Sequence, residues 1–161
     1  SRVVDHLTAE SRSKNTGVAC VYLSHAEAED QTPAKLLSSL WRQLVYGKDI
    51  GSLARKLYQQ HQEKCTTATV QEAFEVLCPV ITDFSKVYIV IDAVDEYQET
   101  QWQILLEYLA MLGPTVNIMI MTRPHVLLDP ALPNPNTLEI RANEDDIRTF
   151  VDAQIYSSLY L

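Results

Sequence analysis

Glycine is scarce in this sequence. The 161 residues hold only Gly17, Gly47, Gly51 and Gly113, too few and too scattered to line a glycine-rich loop around a phosphate. The three cysteines, Cys20, Cys65 and Cys78, are odd in number, widely spaced and free of any CxxC pair. That pattern fits reduced thiols better than a disulfide framework or a zinc site. No apolar run reaches the ~18 residues that a membrane span requires, and no basic-plus-apolar leader opens the chain. Positive charge is short too, with 13 Lys and Arg against 21 Asp and Glu for a net charge of −8. Neither nucleic acid nor an anionic membrane suits that balance as a partner. These absences lead us to expect a soluble, cytoplasmic protein.

Apolar content is ample at 47%, enough for the core of one domain. The opening SRVVDHL has no initiator Met and places Val3, Val4 and Leu7 at helical spacing. It reads as a helix in progress, so we expect a chain cut from something longer. Ser1 to about Glu10 completes that helix, and Gly17–Ser24 (GVACVYLS) is the first strand. Thr32 as N-cap with Pro33 at the first helical position opens a helix carrying Leu36, Leu37, Leu40, Trp41 and Leu44 on one stripe, closed by Gly47. Ile50 to Gln62 is a second helix with Leu53, Leu57 and Tyr58 facing inward. Thr69 to about Phe84 is a third, which Pro79 is expected to kink or break.

Val87–Glu96, VYIVIDAVDE, organises the rest. Five apolar residues run straight into Asp92, the pattern of a strand buried on both faces of a parallel sheet. Thr100 to Leu112 is an amphipathic helix ended by Gly113-Pro114. Val116–Met121 is another buried strand, delivering Thr122-Arg123-Pro124-His125 to its carboxyl end. Beyond a proline-rich loop, Thr137–Ile140 reads as a short strand, and Asn143 caps the acidic first turn Glu144-Asp145-Asp146 of a final helix. Strands alternating with helices predict an α/β layered sheet in a single domain over residues 1–161.

Ligands in such sheets bind beyond the carboxyl ends of the strands. Asp92 would point into that crevice, with Asp95 and Glu96 beside it. Three carboxylates so close repel one another, and a divalent cation such as Mg²⁺ offsets that repulsion most directly. Asp92 is therefore the candidate metal acid, and Asp95 or Glu96 the candidates to orient or deprotonate an attacking water. If both strands share one parallel sheet, Thr122 and Arg123 reach the same edge, where a guanidinium could contact a terminal phosphate. His125 reads as an ordinary loop residue. Gly47-Lys48 is a decoy: a phosphate loop needs G-x-x-x-x-G-K-[ST] between strand and helix, whereas here Arg42 and Asp49 occupy defining positions between two helices.

VYIVIDAVDEY resembles the Walker B strand of the NACHT class of STAND nucleotidases, an apolar strand followed by D-[GA]-h-D-E. NIMIMTRPH resembles their sensor 1 strand and arginine. VACVYLSHAEAEDQTPAKLLSSLWRQLV is similar to the strand, acidic loop and T-P-opened helix of fungal members with a nephrocystin-like NACHT module, which often carry ankyrin or WD repeats. The resemblance implies a three-layer P-loop NTPase-like sheet with its first, Walker A, strand missing. It further implies an ATP- or GTP-dependent Mg²⁺ switch in signalling or cell death, acting through protein partners or self-assembly. On that resemblance Asp92 holds Mg²⁺, Asp95 and Glu96 orient water, and Arg123 is the sensor. Without the phosphate loop this chain is expected to be inactive alone and to bind no nucleotide tightly. The family's strand order sets the missing strand beside Val116–Met121. Strands Gly17–Ser24, Val87–Asp92 and Val116–Met121 are then expected to form one contiguous sheet, with Thr137–Ile140 detached or weakly paired. The alternative is a non-catalytic interaction module derived from a NACHT domain. A receiver-like phospho-acceptor ranks behind both, since Arg141 stands where it needs a lysine.

Overall fold

The computed structural model describes residues 2–11, 15–123, 136–141 and 143–158. Helix α1 (Arg2–Ser11) leads into strand β1 (Thr16–Tyr22). Helices α2 (Pro33–Leu44), α3 (Gly51–Lys64) and α4 (Val70–Thr82) follow, then β2 (Lys86–Asp92), α5 (Glu99–Ala110), β3 (Val116–Ile120) and α6 (Glu144–Ser158). The three strands form one parallel sheet in the order β1-β2-β3, with Ala19 opposite Ile89 and Ile89 opposite Ile118. That is the contiguous sheet expected from the sequence.

Helices α2, α4 and α6 begin where side chains satisfy orphan amides. Thr32 accepts from the Lys35 N–H and Pro33 occupies the first turn of α2. Thr69 and Glu72 form a reciprocal capping box at α4, the arrangement that ties up two N-terminal donors at once. Asn143 Oδ1 accepts from the Asp145 N–H at α6.

Both crossovers step the same way along the sheet, from β1 to β2 and from β2 to β3. Right-handed crossovers in one direction put their helices on one face. The core accordingly joins Ala19, Val21, Val87, Ile89 and Ile91 to Leu37 and Leu40 of α2, Leu77 and Ile81 of α4, and Leu105 and Leu109 of α5. Helix α1 packs against β1. The expectation of strands buried on both faces therefore holds for β2 and fails for β3. Val90 is fully buried, whereas Asn117 is exposed and Met119 is 39% exposed.

Four further expectations are corrected. No residue of α3 is buried; Leu53 and Tyr58 are exposed and Leu57 is only half-buried. Helix α3 packs chiefly against α4, where His61 Nε2 meets Glu72 Oε2 at 3.2 Å. Pro79 does not break α4, which runs unbroken to Thr82. Pro79 and Glu75 both lie on the exposed side, where water can serve the Glu75 carbonyl that the proline leaves without its N–H. Residues 136–141 form no strand, and Leu138 and Ile140 are more than 80% exposed. Gly47, at φ +75°, sits in the turn after α2 rather than at the cap, which is Val45.

Two glutamines cover the C-terminal part of the outer edge of β1. Gln43 Oε1 accepts from the Cys20 N–H at 2.9 Å and its Nε2 donates to the Cys20 carbonyl at 2.7 Å. Gln31 does the same for the Ser24 N–H and the Tyr22 carbonyl, both at 3.0 Å. Each amide stands in for a neighbouring strand. Gln43→Leu, which strips both partners from Cys20, is expected to lower stability by about 1–3 kcal/mol. An unchanged urea midpoint would show that water serves the edge equally well.

Candidate functional site

The site is built on adjacent carboxyl ends. Parallel register sets Ile91 opposite Ile120, so Asp92 ends its strand level with the start of the Met121–Arg123 segment. Pairing continues past the regular strands, with the Met121 N–H donating to the Ile91 carbonyl at 2.8 Å. The chain then turns sharply at Ala93, whose φ of 60° and ψ of 46° are left-handed. Val94–Glu96 form a single 3₁₀ turn, held to the end of β3 by the Val94 N–H on the Met121 carbonyl at 3.2 Å. Val94 plugs into the core, 3% exposed, and this aims Asp95 at the β3 exit.

Asp95 meets Arg123 there. Its Oδ2 lies 3.1 Å from Arg123 Nε, and its Oδ1 accepts from the Arg123 backbone N–H at 3.4 Å. The carboxylate side chain is only 9% exposed while that of the arginine is 67% exposed. Glu96 turns the other way, its Oε2 accepting from the His25 N–H at 3.3 Å. Asp92, half-buried at the strand end, accepts the Leu23 N–H on its backbone carbonyl. Thr122 Oγ1 is sealed from solvent without a hydrogen-bond partner among the described residues. Pro124 and His125 lie outside the described residues.

Asp92, Asp95, Glu96, Thr122 and Arg123 are therefore gathered along one crest. Two of the three acids have partners within the protein. Asp95 is neutralised by a guanidinium and Glu96 is drawn to a backbone amide, so the carboxylates diverge. Among the described residues no group of three or more His, Cys, Asp or Glu side chains is set to hold a metal ion. One strand-end carboxylate, Asp92, stays available to a Mg²⁺ that brings its own waters and phosphate oxygens.

The crest rests on Tyr97, which sequence reasoning passed over. It is 8% exposed, and its hydroxyl donates to the Gln31 carbonyl, linking the turn after β2 to the loop after β1. Burial pushes its pKa up to about 12. Ala93 was also missed as a strained position, although the D-[GA]-h-D-E pattern carries the signal, since glycine, which enters the left-handed region freely, alternates with alanine there.

The chain matches the family model described as Nephrocystin 3, N-terminal over residues 1–123. That span runs from the start of the sequence to Arg123 and takes in every candidate site residue. Among curated proteins no match is found.

Two predictions arise from this geometry. At Ala93 the left-handed turn costs an L side chain roughly 1–2 kcal/mol. Ala93→Gly is expected to be neutral or stabilising by up to about 1 kcal/mol, since glycine's looser unfolded chain offsets part of the relief. Ala93→Val should destabilise by at least ~1 kcal/mol; equal melting of all three proteins would contradict the turn. Tyr97 bears on alkaline stability, because the folded state keeps its proton where the unfolded state loses it. Its contribution is complete below the unfolded value of about 10 and falls away as pH rises from there towards the folded value. Urea titrations across that range should show the decline in the native protein and a shallower one in Tyr97→Phe.

Proposed function

The chain belongs to the nephrocystin 3 N-terminal family, and on that premise we propose that it is the Walker B and sensor segment of a NACHT-like, P-loop nucleotide switch. The observation that carries this reading is the convergence of Asp92 and Arg123 on neighbouring carboxyl ends, with Asp95 paired to the arginine. Asp92 would hold Mg²⁺ against the phosphates of ATP or GTP, and the ion would neutralise charge developing there. Asp95 or Glu96 would orient the attacking water. Arg123 would exchange its partner, Asp95, for the terminal phosphate, with Thr122 beside it. In such sites phosphate affinity comes chiefly from a loop's backbone N–H groups and its lysine. The sequence contains no G-x-x-x-x-G-K-[ST] stretch, so activity is assigned to a longer protein that supplies one, of the fungal signalling or cell-death type.

A second reading, a protein-interaction module, is favoured by one observation. Ile147, Phe150, Val151 and Ile155 recur on one side of α6 and are each between 46% and 65% exposed, an apolar stripe of the kind that partners cover.

Calorimetry with MgATP should show no micromolar binding by these 161 residues; finding it would overturn the assignment of affinity to an added loop. In a longer protein joining this segment to such a loop, Asp92→Asn is expected to lower Mg²⁺-dependent hydrolysis by roughly 10²-fold or more. Unchanged hydrolysis would hand the case to the interaction module.

A further inference from the structure

Helix α3 is weakly held at both ends. Its N-cap, Ile50, makes no side-chain bond to the first turn, and its C-cap, Cys65, is left-handed at φ 51°, a conformation costly to any residue but glycine. Gly47 and Gly51 lie at φ +75° and +78°, with open space where a side chain would stand, and glycines so placed can pivot. No residue of α3 is buried, and it is 14 residues long; a helix of that length is marginal in water unless packing supports it. Its neighbours differ on each count. Helices α2 and α4 are capped by Thr32 and Thr69 and bury Leu37, Leu40, Leu77 and Ile81.

One side chain of α3 is engaged at both of its polar atoms. His61 Nδ1 lies 2.7 Å from Thr66 Oγ1, and Nε2 lies 3.2 Å from Glu72 Oε2. The imidazole is 20% exposed. Glu72 is fixed by the cap of α4 and not by α3, since the same Oε2 accepts the Thr69 N–H and hydroxyl, both at 2.8 Å. Those bonds, with His61 behind them, hold its carboxyl below the usual range, so at neutral pH it only accepts. A neutral imidazole must then carry its proton on Nε2 and take the Thr66 hydroxyl on Nδ1. Every group in the chain of bonds is satisfied.

We propose that α3 is a flap, pivoting about Gly47–Gly51 and Cys65, which opens while the sheet and the other helices stay folded, and that the His61–Glu72 bond is its latch. Opening bares the flank of α4 that carries Glu72 and, one turn on, the half-buried Val76. The device lies apart from the Asp92–Arg123 crest and needs no nucleotide.

The test is hydrogen–deuterium exchange of the 161-residue protein, read amide by amide by NMR. Amides of α3 are expected to exchange at least ~100-fold faster than those of α2 and α4, through an opening that low urea barely accelerates. A common rate for all three helices would overturn the flap. His61→Ala removes a bond to a charged group and should speed exchange within α3 at least ~10-fold, leaving α2, α4 and the sheet as they were. His61→Gln keeps an N–H for Glu72 and should recover part of that protection. If His61→Ala leaves α3 unchanged, or speeds every element alike, the latch is refuted. The ring-nitrogen shifts of neutral His61 should place its proton on Nε2; a proton on Nδ1 would break the bond to Glu72 and the proposal with it.

Discussion

The handedness of two crossovers decides most of what this molecule is. Because β1, β2 and β3 advance in one direction, right-handed connections stack α2, α4 and α5 on a single face. One side of the sheet becomes a dense core in which Leu37, Leu77, Ile89, Ile91 and Leu105 are wholly buried. The same parallel advance brings every strand's carboxyl end to one rim. The candidate site lies there because Asp92 and Arg123 leave neighbouring strands in the same direction.

At that rim the local chemistry is a partition of charge. Val94, anchored in the core and tied to the Met121 carbonyl, fixes the 3₁₀ turn so that Asp95 faces Arg123 and Glu96 faces the His25 amide. Two acids adjacent in sequence thus acquire different partners. The strained dihedrals of Ala93 make that divergence possible, since a right-handed residue at that point would not send the chain back towards β3. Strain of this kind persists where surrounding contacts over-determine the backbone, and here the core contact of Val94 and the hydroxyl of Tyr97 supply them.

Much of this was legible in the sequence. The apolar runs of Val87–Asp92 and Val116–Met121, the Thr32-Pro33 helix start and the Asn143 cap are local signals, and local physics governs them. The sheet's contiguity was what the family resemblance implied, and the gathering of Asp92, Asp95, Glu96, Thr122 and Arg123 followed from strand ends and parallel order. What escaped was tertiary. The leucines of α3 carry a helical stripe, yet only its position in the fold tells that α3 packs chiefly against α4. Pro79 carries the same breaker signal in a buried helix as in one whose freed carbonyl faces water. Gln31 and Gln43 look like ordinary polar residues, because nothing in a linear pattern reveals that their amides lie against a strand edge.

Those two glutamines have a consequence for how large any assembly can grow. A strand edge behaves like a bond-forming site, and a sheet with two open edges has a valence of two, the condition for unlimited fibres. Here side-chain amides occupy the outward N–H and C=O of Cys20, the Tyr22 carbonyl and the Ser24 N–H, so along that stretch β1 offers a further strand no free backbone group to bind.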